Sequence, residues 1–253
     1  ETQDQLRTAV EKAVAETPVT DIHTHLFTPD FGDLLLWGID ELITYHYLIA
    51  ETFRYIRLPY EEFWRLPKQA QADLVWRTLF LEHSPLSEAC RGVLTVVRAL
   101  GLDPGTRDLA SYRAYFKGLP VEAYIDRVLE LSGVTRLVMT NDPFVPEENR
   151  VWLADRRGDG RFYAALRLDA MLNDWGAACE TLRGWGYKVQ AGLDAGAKAE
   201  VRRFLDDWCA GMKPLYMAVS LPPDFDWPED SARSGLIADC VLPVAAERGL
   251  PLA

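Results

Sequence analysis

No run of 18 apolar residues occurs in this chain, so no membrane-spanning helix is indicated. No signal-peptide pattern is visible at the start. Cysteine is scarce. The four present, Cys90, Cys179, Cys209 and Cys240, are far apart and form no Cys-x-x-Cys pair. They read as reduced, mostly buried thiols of a cytoplasmic protein rather than as a disulfide framework. Positive charge is also short. Against 38 acidic residues stand 27 basic ones, giving a net charge of −11 and a pI near 4.9. An acidic surface repels phosphate backbones, which argues against nucleic-acid binding, although a local basic pocket can still hold a small anion. There is no internal repeat and no low-complexity tract. What remains is 253 residues with 49% hydrophobic content, enough for one large domain or two small ones.

Only four histidines occur, and two of them stand one residue apart in Asp21-Ile22-His23-Thr24-His25-Leu26. On a strand, residues i and i+2 share a face. Regular alternation would therefore aim His23 and His25 at one point, with Asp21 a step below and Ile22 and Thr24 facing away. Two converging imidazoles suit a divalent metal such as zinc. The same pair could also be satisfied polar residues at a core edge. Two histidines are half a site, and His46 and His83 are the only others. The ending Gly249-Leu250-Pro251-Leu252-Ala253 reads as the opening of a buried strand, so the expectation is that the sequence is the N-terminal portion of a longer protein whose later strands carry the remaining ligands.

Periodicity organises the chain into three stretches. Residues 1–32 hold an amphipathic helix over 4–16, with Leu6, Val10, Ala13 and Val14 at helical spacing, and a strand over 19–26. Residues 33–132 read as helical throughout, including a helix Leu42–Phe53 that carries His46-Tyr47. Residues 133–253 alternate strands (Thr135–Thr140, Phe162–Leu168, Pro214–Leu221) with helices (Glu147–Asp155, Asp174–Trp185, Gly196–Ala210, Ile237–Glu247). Such alternation implies a parallel sheet. The spacing predicts four strands and the start of a fifth, which is roughly half of an α/β (β/α)8 TIM barrel with a large helical insertion after its first strand. Barrels of this kind place their chemistry at C-terminal strand ends, where His23, His25, Asn141, Asp142, Arg167 and Asp169 fall.

Arg167 shares a strand face with Tyr163, Ala165 and Asp169. A guanidinium there suits a substrate carboxylate through paired charged hydrogen bonds. It could equally pair with Asp169 and close a loop. Asp142 could contact a sugar hydroxyl or a metal-bound water, or cap the helix that follows. His46 reads as a core or helix-face residue. Lys188 carries no mark of a carbamylated metal bridge.

Together these motifs resemble the uronate isomerases of the amidohydrolase superfamily. Asp21–Leu26 is similar to that family's first-strand metal motif. Tyr45-His46-Tyr47 lies where the family carries Asp-His-Tyr, and Ser84-Pro85-Leu86 resembles its Asn-Pro-Leu helix. Thr140-Asn141-Asp142-Pro143 resembles Thr-Asp-Asp-Pro, and Leu166-Arg167-Leu168-Asp169 resembles Phe-Arg-Pro-Asp. Tyr45, Asn141 and Leu168 depart from the pattern and mark a divergent branch.

The resemblance implies a metal-dependent aldose–ketose isomerase acting on a hexuronate, of the glucuronate-to-fructuronate type. It implies one divalent metal, zinc or alternatively manganese, held partly by His23 and His25. Tyr47 would assist proton transfer together with an aspartate from a later strand, while His46, Arg167, Asp142 and Asp169 would bind the sugar acid. A small-molecule partner and, optionally, a homo-oligomer follow. The alternatives are a metal-dependent hydrolase on the same barrel, or a sugar-acid-binding paralogue without turnover.

Overall fold

The computed structural model describes residues 2–24, 26–154, 158–229 and 231–253. The chain forms two units, one of Glu1–Leu35 with Gly133–Ala253 and one of Leu36–Ser132.

The first unit opens with helix α1 (Gln3–Glu16). Its start is a capping box. The Thr2 hydroxyl accepts the Gln5 N–H while the Gln5 side chain accepts the Thr2 N–H. The expected apolar row is present, yet no α1 residue is buried, and Val14 is 72% exposed. Strand β1 (Val19–Thr24) follows. It pairs in parallel with β2 (Val134–Asn141), β2 with β3 (Phe162–Arg167), and β3 with β4 (Met217–Ala218). The sheet order is thus β1-β2-β3-β4. A parallel bridge from Met217 to Leu252 adds the beginning of a fifth strand.

Parallel neighbours need crossover connections. These are α9 (Pro146–Leu153) after β2, then α10 (Asp169–Asn173), α11 (Trp175–Gly184) and α12 (Ala195–Met212) after β3. After β4 come α13 (Ala232–Leu236) and α14 (Leu242–Arg248), joined by a π-helical turn. Ala164, Leu166 and Leu168 pack with the predicted α12 stripe of Val201, Phe204, Leu205 and Trp208, so the core lies between the sheet and these helices.

Two expectations for this unit are corrected. The strand predicted over Pro214–Leu221 is regular only over Met217–Ala218, and on its C-terminal side the Ser220 N–H donates to the Asp169 carboxylate at 3.1 Å. Asp169 does not extend β3, because it is the first residue of α10, a helix the periodicity did not reveal.

The second unit is all helical: α2 (Ile39–Ile43), α3 (His46–Thr52), α4 (Tyr60–Arg65), α5 (Lys68–Trp76), α6 (Glu88–Ala99), α7 (Ala110–Lys117) and α8 (Val121–Ser132). It has its own core, with Phe63, Val75, Leu79 and Tyr112 almost fully enclosed. The expected continuous helix Leu42–Phe53 is broken. The Thr44 hydroxyl returns to the Asp40 carbonyl at 2.7 Å, and Tyr45 turns extended to begin α3. Helix α7 also escaped the sequence reading, although Leu109, Tyr112 and Phe116 bury one face of it. Arg113 on α7 binds Asp40 through Nε and Nη2 and reaches Asp73 at 2.8 Å, tying α2, α5 and α7 together.

Candidate functional site

A cavity of about 460 Å³ opens on the face of the sheet opposite the helices, with His23, Arg167, Tyr216 and Ser220 on its wall beside the apolar Ile22 and Val138. The register of β1 explains how His23 reaches it. From Asp21 to Thr24 the strand takes three residue steps where β2 takes two, from Leu137 to Met139. A bulge of this kind inserts one residue and re-aims its side chain. Ile22 and His23, adjacent in sequence, therefore both face the cavity. This departs from the simple alternation, in which Ile22 points away. Asp21 does not line the cavity; its carboxylate accepts the His23 backbone N–H at 3.1 Å. His25 lies outside the described residues.

Arg167, the last residue of β3, is three-quarters buried at its side chain. Its Nε and Nη2 donate to the two oxygens of Asp169 at 2.9 and 2.7 Å, and Nη2 also meets the Ser220 hydroxyl at 3.3 Å. The hydrogen bonds to Asp169 raise the Arg167 pKa further, so its charge is fixed. Of the two sequence readings of Arg167, the pairing with Asp169 is present. The side chain closes a loop through Asp169 and it faces the cavity, with Nη1 carrying no hydrogen bond among the described residues.

Asp142 follows β2 and is partly buried. Its Oδ1 accepts the Phe144 N–H at 2.9 Å, which makes it a turn-former. The helix cap itself is Val145, without a side-chain hydrogen bond. Burial raises the Asp142 carboxyl pKa, the Phe144 N–H opposes this, and the charge of Asp169 adds to it. Beneath it lies Glu148, 8% exposed, which the sequence reading missed. One Glu148 oxygen accepts both the Asn141 amide at 2.7 Å and the Asp142 N–H at 3.0 Å. Burial raises its pKa against these two donors. Asn141 is fully enclosed, and its own Oδ1 has no hydrogen-bond partner among the described residues. Tyr216 and Ser220 were also missed as site residues. Their signal was the strand predicted over Pro214–Leu221, whose Leu215, Tyr216, Ala218, Val219 and Ser220 all line the cavity.

In the helical unit, His46 and Tyr47 form the exposed first turn of α3. The Tyr45, His46 and Tyr47 rings touch one another, with centroids 4.2 to 5.5 Å apart. Lys188 sits in a loop and donates its backbone N–H to Glu200.

Among the described residues no group of three or more His, Cys, Asp or Glu is placed to hold a metal ion. The His23 imidazole is a suitable donor facing the cavity, but by itself it is not a donor set. No helix among them is long and apolar enough to cross a membrane.

No protein-family model matches the chain, and no curated protein does. Solved structures do. A uronate isomerase from Bacillus halodurans C-125 is 52% identical with a TM-score of 0.97, covering 100% of this chain and 60% of that one. A glucuronate isomerase from Caulobacter crescentus shares the fold, with a TM-score of 0.62 at 12% identity, covering 100% of this chain and 61% of that one. The chain therefore spans about three-fifths of the length of either. Along all 253 residues, in sequence and in backbone, this chain is similar to that uronate isomerase.

Proposed function

We propose that this chain carries part of the active site of a hexuronate isomerase, interconverting aldose and ketose forms of a sugar acid such as glucuronate. The observation that carries the proposal is the meeting of Arg167 and His23 on one cavity in a chain so close to a uronate isomerase. The remaining strands of a (β/α)8 barrel, with Leu36–Ser132 as its helical insertion, belong to the same proposal.

The reaction moves a proton between C2 and C1 of the sugar through an enediolate. Arg167 would hold the uronate carboxylate, using Nη1 while Asp169 and Ser220 keep the guanidinium in its plane. Asp142 and Asp169 flank it as acceptors for sugar hydroxyls. The roles of His46 and Tyr47 rest on the resemblance: His46 contacts the sugar acid and the Tyr47 hydroxyl relays the proton. An ordinary phenol titrates near 10, so Tyr47 acts as an acid or relay, not as an independent base at neutral pH. A divalent metal, zinc first and manganese as the alternative, would be held partly by His23 and His25 and would polarise the substrate oxygens when bound. The four buried free cysteines support a reducing, cytoplasmic setting.

Full-length protein incubated with zinc or manganese and a panel of hexuronates, followed by NMR, should form ketose from one of them. Uronate binding without product would replace the isomerase by a binding protein. Cleavage of a uronate ester or amide supplied in a parallel incubation, with no ketose formed from the free acids, would replace it by a hydrolase.

A further inference from the structure

Tyr216 stands immediately before β4, and its backbone is set by the sheet, because its carbonyl accepts the Leu166 N–H at 3.1 Å. Its side chain does something the sheet does not require. The hydroxyl reaches a strand that is not its neighbour, donating to the Ile22 carbonyl of β1 at 2.6 Å. That carbonyl lies inside the bulge, where the ladder with β2 is interrupted. It also belongs to the same peptide group as the His23 N–H, which donates to Asp21 Oδ1 at 3.1 Å. One peptide plane is thus held at both ends by side chains, its oxygen by Tyr216 and its N–H by Asp21. The orientation of a peptide plane sets the direction of the next Cα–Cβ bond, and here the next residue is His23.

We propose that Tyr216 is a positioning residue for His23: by bonding the Ile22 carbonyl it fixes the Ile22–His23 peptide and so directs the imidazole into the cavity. The significance of that direction rests on the place of His23 in the proposed active site. Burial raises the phenol pKa, Asp21 adds to this and Arg167 opposes it, so the hydroxyl remains a proton donor at neutral pH.

The test is Tyr216→Phe in the full-length protein, which removes one oxygen and keeps the ring. With ¹⁵N-labelled histidine, the His23 ring resonances, assigned by their loss in His23→Ala, should shift in Tyr216→Phe. They should stay in place in Tyr163→Phe, which deletes a hydroxyl that bonds nothing among the described residues. The Ile22 carbonyl carbon should shift with the His23 ring, because it loses its acceptor role. A shift in a protein that turns over no uronate would retain the proposal and remove only the isomerase reading. His23 and Ile22 signals at unaltered positions in Tyr216→Phe would overturn it, as would an equal shift in Tyr163→Phe.

Discussion

Arg167 shows how one side chain can be structural and available at once. Two of its three nitrogens, Nε and Nη2, are engaged with Asp169 and Ser220, which holds the guanidinium rigid at the end of β3. In the proposed role, a ligand carboxylate would meet a charge that does not have to be ordered on binding. Arg167→Ala should raise KM for an acidic sugar by about 10- to 100-fold, the worth of a charge-assisted hydrogen bond, and should change KM for the neutral analogue far less. Equal changes would remove Arg167 from carboxylate recognition. For His23, replacement by alanine should abolish both metal retention, measured by elemental content after dialysis, and turnover. Wild-type activity in His23→Ala would end the metal assignment.

Among elements, the β2–α9 turn is built on a buried carboxyl group. Glu148 takes two donors on one oxygen and is held there by the fold, although burial favours its neutral form. Its folded pKa lies above the reference value of 4.5. The folded state therefore binds more protons than the unfolded one between those two values, so the stabilising contribution is complete below about pH 4.5 and is lost as pH rises through the folded pKa. Asp142 shifts in the same direction. Glu148→Gln should flatten the fall in melting temperature across that range, and a slope identical to wild type would show that Glu148 does not titrate there. In the helical unit, Arg113 joins three helices through Asp40 and Asp73. Its side chain is 26% exposed, so Arg113→Ala should cost about 1–2 kcal/mol in urea denaturation, less than a fully buried pair would.

On the scale of the whole molecule there are two separate cores. Phe204 anchors the one beneath the sheet and Phe63 the one among the helices, both with no exposed surface. Either residue replaced by alanine should lose about 3–5 kcal/mol, read by urea denaturation, because the cavity left behind cannot close completely. The long helix α12 was legible because its stripe repeats every three to four residues over five turns. Helices α7 and α10 were not. One hides behind the polar loop from Gly105 to Asp108, and the other is five residues long, too short for a period to show.

Local pattern by itself determined the alternation of strand and helix, the count of strands and the placing of Arg167 on the open face of β3, because side-chain direction in a regular strand follows a fixed period. Tertiary structure decided what that period cannot express. A bulge turns Ile22 and His23 to the same side, the Asp169 carboxylate takes the Ser220 N–H just past β4, and Glu148 and Tyr216 reach backbone groups that sequence spacing does not connect to them. Each of these depends on where a hydrogen-bonding group finds its partner in space. That choice is made only when distant segments have packed together and unpaired polar groups have become costly.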